Sequence, residues 1–250
     1  NHVYSVCNDK HELMSEIQKI YKEKDVLLNK YFHKKVSKEC KIDFIPTIKG
    51  RTAVAYYNNG GMNKRNIPTF SVNSNPLLLP KCVLKSLVIH ETEPGHHYQF
   101  QYMKDKGISP FLIYMRYTAF VEGWALYCEN LGDYTDNELF GKYMEEKLRA
   151  IRLVIDTGIH AFGWDKQKTK QFFVSNSLLP EEKIDIQIDR YLANPAQALG
   201  YKLGELFFNN YKEKWIQSGL DIKDYHSLIL DNGVIPFKIL EKKIKKVLEK

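Results

Sequence analysis

No apolar run in this 250-residue chain approaches the roughly 20 residues that a membrane span needs. The longest candidates, near 83–89 and 119–127, are short and have ionisable neighbours. No signal-type stretch follows the first residue, Asn1, so the chain is expected to be processed or a piece of something longer. Cysteine is scarce: Cys7, Cys40, Cys82 and Cys128 lie far apart, and none belongs to a CxxC pair. That spacing excludes a zinc ribbon and a dense disulfide scaffold. It predicts reduced, mostly buried thiols, and hence a cytoplasmic or otherwise reducing compartment. Paired CxxC motifs and aromatic ribonucleoprotein strands are missing too, so no nucleic-acid partner is expected. The net charge of +7 arises largely from lysines on helix faces and in the closing segment "KILEKKIKKVLEK", where they read as a solvated surface.

What is present is helical periodicity. Leu13, Ile17, Ile20, Leu27 and Tyr31 predict a long amphipathic helix within 9–36. The β-prone, glycine-punctuated stretches "IDFIPTIKGRTAVAYYNNGG" and "IPTFSVNSNP" predict a small hairpin or edge sheet near residues 42–73. From Cys82 onward helices follow one another. One is expected over about 110–131, with Ser109 and Pro110 at its start. Another is expected over about 136–162, and Asp165 caps a shorter one. Two more are broken by Asn194-Pro195, and a closing pair is divided by Gly233 and Pro236. With no repeat or linker, residues 1–250 read as one mainly helical domain.

The chemistry concentrates in "LVIHETEPGHHYQ", residues 87–99. Catalytic zinc takes three protein ligands, often two histidines at i and i+4 of a helix with a glutamate beside them as base. Here Pro94 stands where the second histidine belongs. On an unbroken helix His90 and His96 would point roughly 120° apart, and His90 and His97 would sit about 10 Å apart along the axis. A straight helix therefore cannot hold an ion with these residues. Pro94 and Gly95 permit a widened turn that would swing His96 into place. The competing reading is a surface helix whose histidines serve the helix dipole.

A third ligand is found in "FVEGWALYCE". Glu122 sits among apolar residues, where an unpaired carboxylate is costly unless a cation or a basic partner such as Arg116 offsets it. Two turns on, Glu129 can hold a histidine NH, as ligating histidines require.

"HETEPGHHYQ", "EGWALYCE", "RLVIDTGIHAFGW" and "RYLANPAQALGYKLG" together resemble the family known as domain of unknown function 885. "AYYNNGG…NIPTFSVN" resembles its upstream segment, and "YHSLILDNGVIPFKILE" its closing helix pair. The resemblance covers the chain from about residue 45 and implies the carboxyl-terminal, site-bearing portion of a longer member. It also implies a helical fold similar to zinc metallopeptidases of the gluzincin kind, with one zinc ion per chain. By motif, His90, His96 and Glu122 match the ligands and Glu91 the general base, with His97 the less favoured alternative to His96. Gln187, where a glutamate is expected, and Ala196, where a glycine is expected, depart from the pattern outside the metal shell.

These expectations describe a zinc-dependent hydrolase of peptide bonds; the alternative is a non-catalytic helical module stabilised by metal. The oxyanion formed on attack needs a further donor, for which His160 and Tyr201 are the first candidates and Tyr191 the next. Arg190, Arg152 and Lys202 are cations in apolar segments, and one of them can clamp a substrate carboxylate unless Asp156, Asp189 or Glu129 pairs with it. Asn73 and Tyr191 are further candidate substrate contacts, and His97 and Asp156 join Glu129 as expected supports of the metal ligands.

Overall fold

The computed structural model describes residues 4–46, 54–61, 66–115 and 117–249. It is mainly helical, as the periodicity predicts, with one small sheet. The front helical segment is two helices, α1 (Lys10–Lys22) and α2 (Lys24–Tyr31), divided at Glu23. Asp9 caps α1 by accepting the His11 and Glu12 amides at 2.7 and 2.9 Å.

The sheet has three strands: β1 (Lys41–Phe44), β2 (Ala55–Asn58) and β3 (Thr69–Val72), in the order β1-β3-β2. The expected hairpin is the antiparallel β2–β3 pair, with Tyr57 opposite Phe70, and β1 adds a parallel partner. Residues 47–53 and 62–65 of the same stretch lie outside the described residues, as does Arg116.

Then come α3 (Lys81–Glu91), α4 (His96–Asp105), α5 (Pro110–Ile113) and α6 (Thr118–Glu129). The helix expected over 110–131 is thus broken between Tyr114 and Tyr117, with no glycine or proline to announce it. α7 (Asp136–Phe162) has the predicted bounds. Thr135 and Glu138 form a reciprocal capping box at its start, and Gly163 closes it at φ 64°. α8 (Lys166–Asn176), α9 (Glu181–Ala193), α10 (Gln197–Gln217), α11 (Ile222–Leu230) and α12 (Phe237–Leu248) complete the chain. Among the described residues no helix is long and apolar enough to cross a membrane.

Burial explains how these helices fix the site. α3 is buried on two sides. Leu84 and Val88 join Leu13, Ile17, Phe70 and Val72 in a core between α1 and the sheet. Ile89 belongs to a larger core with Trp124, Tyr127 and Phe208. A third cluster, Ile151, Ile155, Phe173, Ile184 and Ile188, ties α7 to α8 and α9. α6 and α10 approach backbone to backbone: a Cβ on Gly123 would lie 2.4 Å from the Gly204 Cα, and one on Gly204 would lie 1.9 Å from the Ala119 carbonyl oxygen. Only paired glycines allow that approach, and it brings α10 beside the helix that carries Glu122.

Candidate metal centre

The helix that starts the motif ends at Glu91, and the next begins at His96. The interruption is therefore a full break between two helices, wider than the single bulge the sequence suggests. Its backbone closes with long-reach bonds: the Gly95 amide to the Ile89 carbonyl at 3.1 Å and the His97 amide to the Thr92 carbonyl at 3.1 Å. The Glu93–Pro94 peptide is cis. Gly95 is required by sterics, since a Cβ there would fall 2.0 Å from the His90 carbonyl oxygen. α6 secures the turn from outside, with Trp124 Nε1 donating to the Pro94 carbonyl at 3.0 Å and Cys128 Sγ at 3.3 Å.

This break swings two imidazoles together. The His90 and His96 rings stand 4.7 Å apart and nearly perpendicular, at 86°. Nε2 of each lies 3.5 Å from Glu122 Oε2, and one ligand atom from each of the three residues falls within 4.8 Å of the others. Ligands about 2.0–2.1 Å from a tetrahedral zinc are about 3.4 Å apart, so two edges of this triangle already have the length zinc needs. His90 Nδ1 donates to Glu129 Oε1 at 2.8 Å, which orients the ring so that Nε2, the nitrogen an ion would take, points towards Glu122. His96 Nδ1 is buried without a hydrogen-bond partner among the described residues.

The charges fit a cation. Burial pushes the His90 imidazolium down, but Glu122 and Glu129 outweigh it and raise its pKa to about 10. Burial pushes the Glu122 carboxyl up, yet the two histidines hold it well below the usual carboxylate range. Burial also raises Glu91, tempered by His90 and His96. Among the described residues the Glu91 carboxylate makes no hydrogen bond or ion pair.

His97 is not part of the triangle. It is fully buried, with Nε2 donating to the Lys38 carbonyl at 2.7 Å and Nδ1 accepting from Tyr57 Oη at 3.1 Å. Burial lowers its pKa to about 4, so the ring is neutral and structural.

Several other expected residues are placed elsewhere. His160 is bonded through Nε2 to the Tyr191 carbonyl at 3.0 Å. It lies eleven residues beyond Arg149, the α7 residue that reaches Glu129, or about 16 Å along the axis. Asp156 accepts the Ala196 amide at 3.1 Å and so holds the turn before α10 instead of a metal ligand. That turn has Ala196 at φ 65°, the left-handed region where the resemblance places a glycine. Lys202 is neutralised by Glu146 and Glu205 and is not available to substrate. Tyr191 is 1% exposed, and its hydroxyl is shared between Arg152 and Gln187. Asn73 continues β3, a strand already paired on both sides, and its side-chain oxygen accepts the Asn75 amide at 3.0 Å. Main-chain pairing to a peptide is therefore closed there. Tyr201 bonds to Arg190 at 3.1 Å and to Gln197 at 3.3 Å.

Trp124, Cys128 and Arg149 support the centre without being singled out from the sequence. The signal was the interleaving of "EGWALYCE", where residues at i and i+4 grip Pro94 while Glu122 and Glu129 face the histidines.

Glu93 lies behind the turn, 3% exposed, in a recess of about 150 Å³ shared with Tyr21, Lys24 and Lys85. Oε1 accepts from Tyr21 Oη at 3.2 Å and Oε2 has no partner. Burial raises its pKa from 4.5 to about 7, with Lys24 pulling the other way. Between those values the folded state holds a proton the unfolded chain has released, so this group's contribution to stability falls as pH rises from 4.5 to 7 and is flat above. Glu93→Gln mimics the protonated form. Relative to the parent it should gain about 2–3 kcal/mol between pH 5 and pH 8. Urea midpoints of both proteins at the two pH values measure this, and an unchanged difference would contradict it.

The fold and cluster define a class: a mainly helical protein in which two histidines and a glutamate lie close enough together to hold a metal ion. The chain belongs to the family described as bacterial protein of unknown function, DUF885, whose model matches residues 2–244. Two solved structures, from Colwellia psychrerythraea and Shewanella oneidensis, both carry the name "putative lipoprotein". The first is 31% identical with a TM-score of 0.88, covering 96% of this chain and 43% of its own. The second is 19% identical with a TM-score of 0.78, covering 94% and 45%, and supports the fold alone. This chain thus spans less than half the length of either. No curated protein matches it. The name carried by the Colwellia relative points to a secreted or membrane-anchored protein and overturns the cytoplasmic or reducing compartment expected from the cysteines. That expectation fails physically: all four thiols are free and buried, and burial shields a thiol in any compartment.

Proposed function

We propose that this chain is a zinc-dependent hydrolase of peptide bonds, with one ion per chain held by His90, His96 and Glu122. The observation that carries the reading is the pair of 3.5 Å separations from Glu122 Oε2 to the two Nε2 atoms, beside an unpaired Glu91. A purely structural ion needs no base at that position. Zinc bound there supplies Lewis acidity, which acidifies water and polarises a carbonyl. Glu91 takes a proton from the attacking water and hands it to the departing amine. Glu129 holds His90 in the tautomer that leaves Nε2 free, and Trp124 keeps the ligand-bearing turn in register.

Elemental analysis of protein purified without chelator should give one zinc per chain. Chelation should then abolish cleavage of a mixed peptide library, and added zinc should restore it. Bound zinc with no cleavage would favour the metal-stabilised interaction module instead, and substoichiometric metal would remove both readings.

A further inference from the structure

A second polar constellation lies beside the triad. On α7, Arg149 and Arg152 are one turn apart. Arg149 is neutralised, with Glu145 against its Nη1 and Glu129 3.9 Å from its Nη2. Arg152 is not. It is 9% exposed, its Nε donates to Tyr191 Oη at 3.1 Å, and its guanidinium lies 4.8 Å from the centre of the Tyr201 ring. Arg190 of α9 faces the same ring at 5.9 Å and donates through Nη2 to Tyr201 Oη at 3.1 Å and Gln197 Oε1 at 3.0 Å. Among the described residues no carboxylate pairs with either guanidinium.

Every partner of these two cations is neutral: two tyrosines and a glutamine. Elsewhere nearby the fold does the opposite, giving Lys202 two carboxylates and Lys142 one. Two like charges around one ring repel each other, and a buried guanidinium without a counter-ion is costly. An anionic ligand would relieve both costs. Guanidinium matches the planar carboxylate by paired hydrogen bonds, and the Tyr201 hydroxyl adds a neutral donor.

A chain of contacts links this pair to the triad. Arg149 reaches the Glu129 that holds His90, and Arg152 is about 4.5 Å further along α7.

We infer that Arg152 and Arg190, set around Tyr201, form a receptor for the C-terminal carboxylate of a peptide substrate of the centre at His90, His96 and Glu122. The inference rests on the hydrolytic reading of that triad. It directs cleavage towards the carboxyl-terminal end of the peptide.

The test uses binding, so it does not depend on turnover. The zinc-supplemented, isotopically labelled full chain is titrated with N-acetyl-trialanine as free acid, with its C-terminal amide, and with inorganic phosphate, while the arginine Nε–Hε resonances are followed. The acid should shift the Arg152 and Arg190 resonances saturably and bind at least tenfold more tightly than the amide or phosphate. Arg190→Gln should remove that preference. If this variant fails to fold, Tyr201→Phe, which keeps the ring, should weaken acid binding several-fold. Equal binding of acid and amide, tighter binding of phosphate, or no shift at these two arginines overturns the receptor. Acid-selective binding by a protein that cleaves nothing would keep the receptor and sink the hydrolytic reading; cleavage without acid preference would do the reverse.

Discussion

Glu91→Gln should abolish peptide cleavage while leaving zinc in place. The substitution keeps the shape of the side chain and removes its ability to accept a proton. General acid–base assistance contributes about 10²–10⁴-fold, and a residue that serves both the attack and the departure belongs at the upper end. The structure makes the variant clean, because Glu91 has no hydrogen bond or ion pair among the described residues to lose. Burial already raises its pKa, so replacing it with a neutral amide should not destabilise the fold. Zinc stoichiometry, a thermal melt and kcat on a peptide substrate would be measured together. Cleavage at the parental rate would remove Glu91 from the chemistry. Loss of zinc along with activity would mean that Glu91 supports the ion instead of the proton transfer.

The second large effect is expected from His96→Ala. It removes one of three ligand atoms, so zinc affinity should fall by more than about 100-fold, the upper end for losing an outer partner of a ligand. Glu129→Gln supplies that comparison, since it keeps His90 in place but weakens the 2.8 Å bond to its Nδ1, and should cost about 10–100-fold. The order of the two effects is the informative part. A buried His–Glu network with no affinity for metal would show no zinc in the parent and only a stability change in either variant. Equal zinc affinity in the parent and His96→Ala would dismiss His96 as a ligand.

Much of this was legible in the chain. An unbroken helix cannot place His90 and His96 on one ion, and Pro94-Gly95 supplies the interruption. What the spacing could not reveal was its form, because a bulge and a full break both bring His96 round; the choice depends on Trp124 and Cys128 gripping a carbonyl thirty or more residues away. The bounds of α7 were readable because a capping box and a terminal glycine mark them. The breaks at Glu23 and between Tyr114 and Tyr117 were not, since neither carries such a mark. Long-range pairing accounts for the misplaced site residues. Lys202 in an apolar segment looked free, but its partner Glu146 is 56 residues away. Tyr191 and His160 looked polar and available, but α9 folds back on α7 and ties both down. Asp156, Asp189 and Glu129 were the acids open to Arg152, and the fold gives it tyrosines instead.

The grip of Trp124 on the Pro94 carbonyl has a consequence for how an ion would be held. The turn that presents His96 and the carboxylate that faces it are fastened to the same rod, so thermal motion carries them as one body. Ordering the cradle is then completed when the chain folds, and little entropy remains to be lost when a cation arrives. A cage assembled in advance favours one ionic radius over others, so selectivity here would follow from the stiffness of α6 as much as from the identity of the donors.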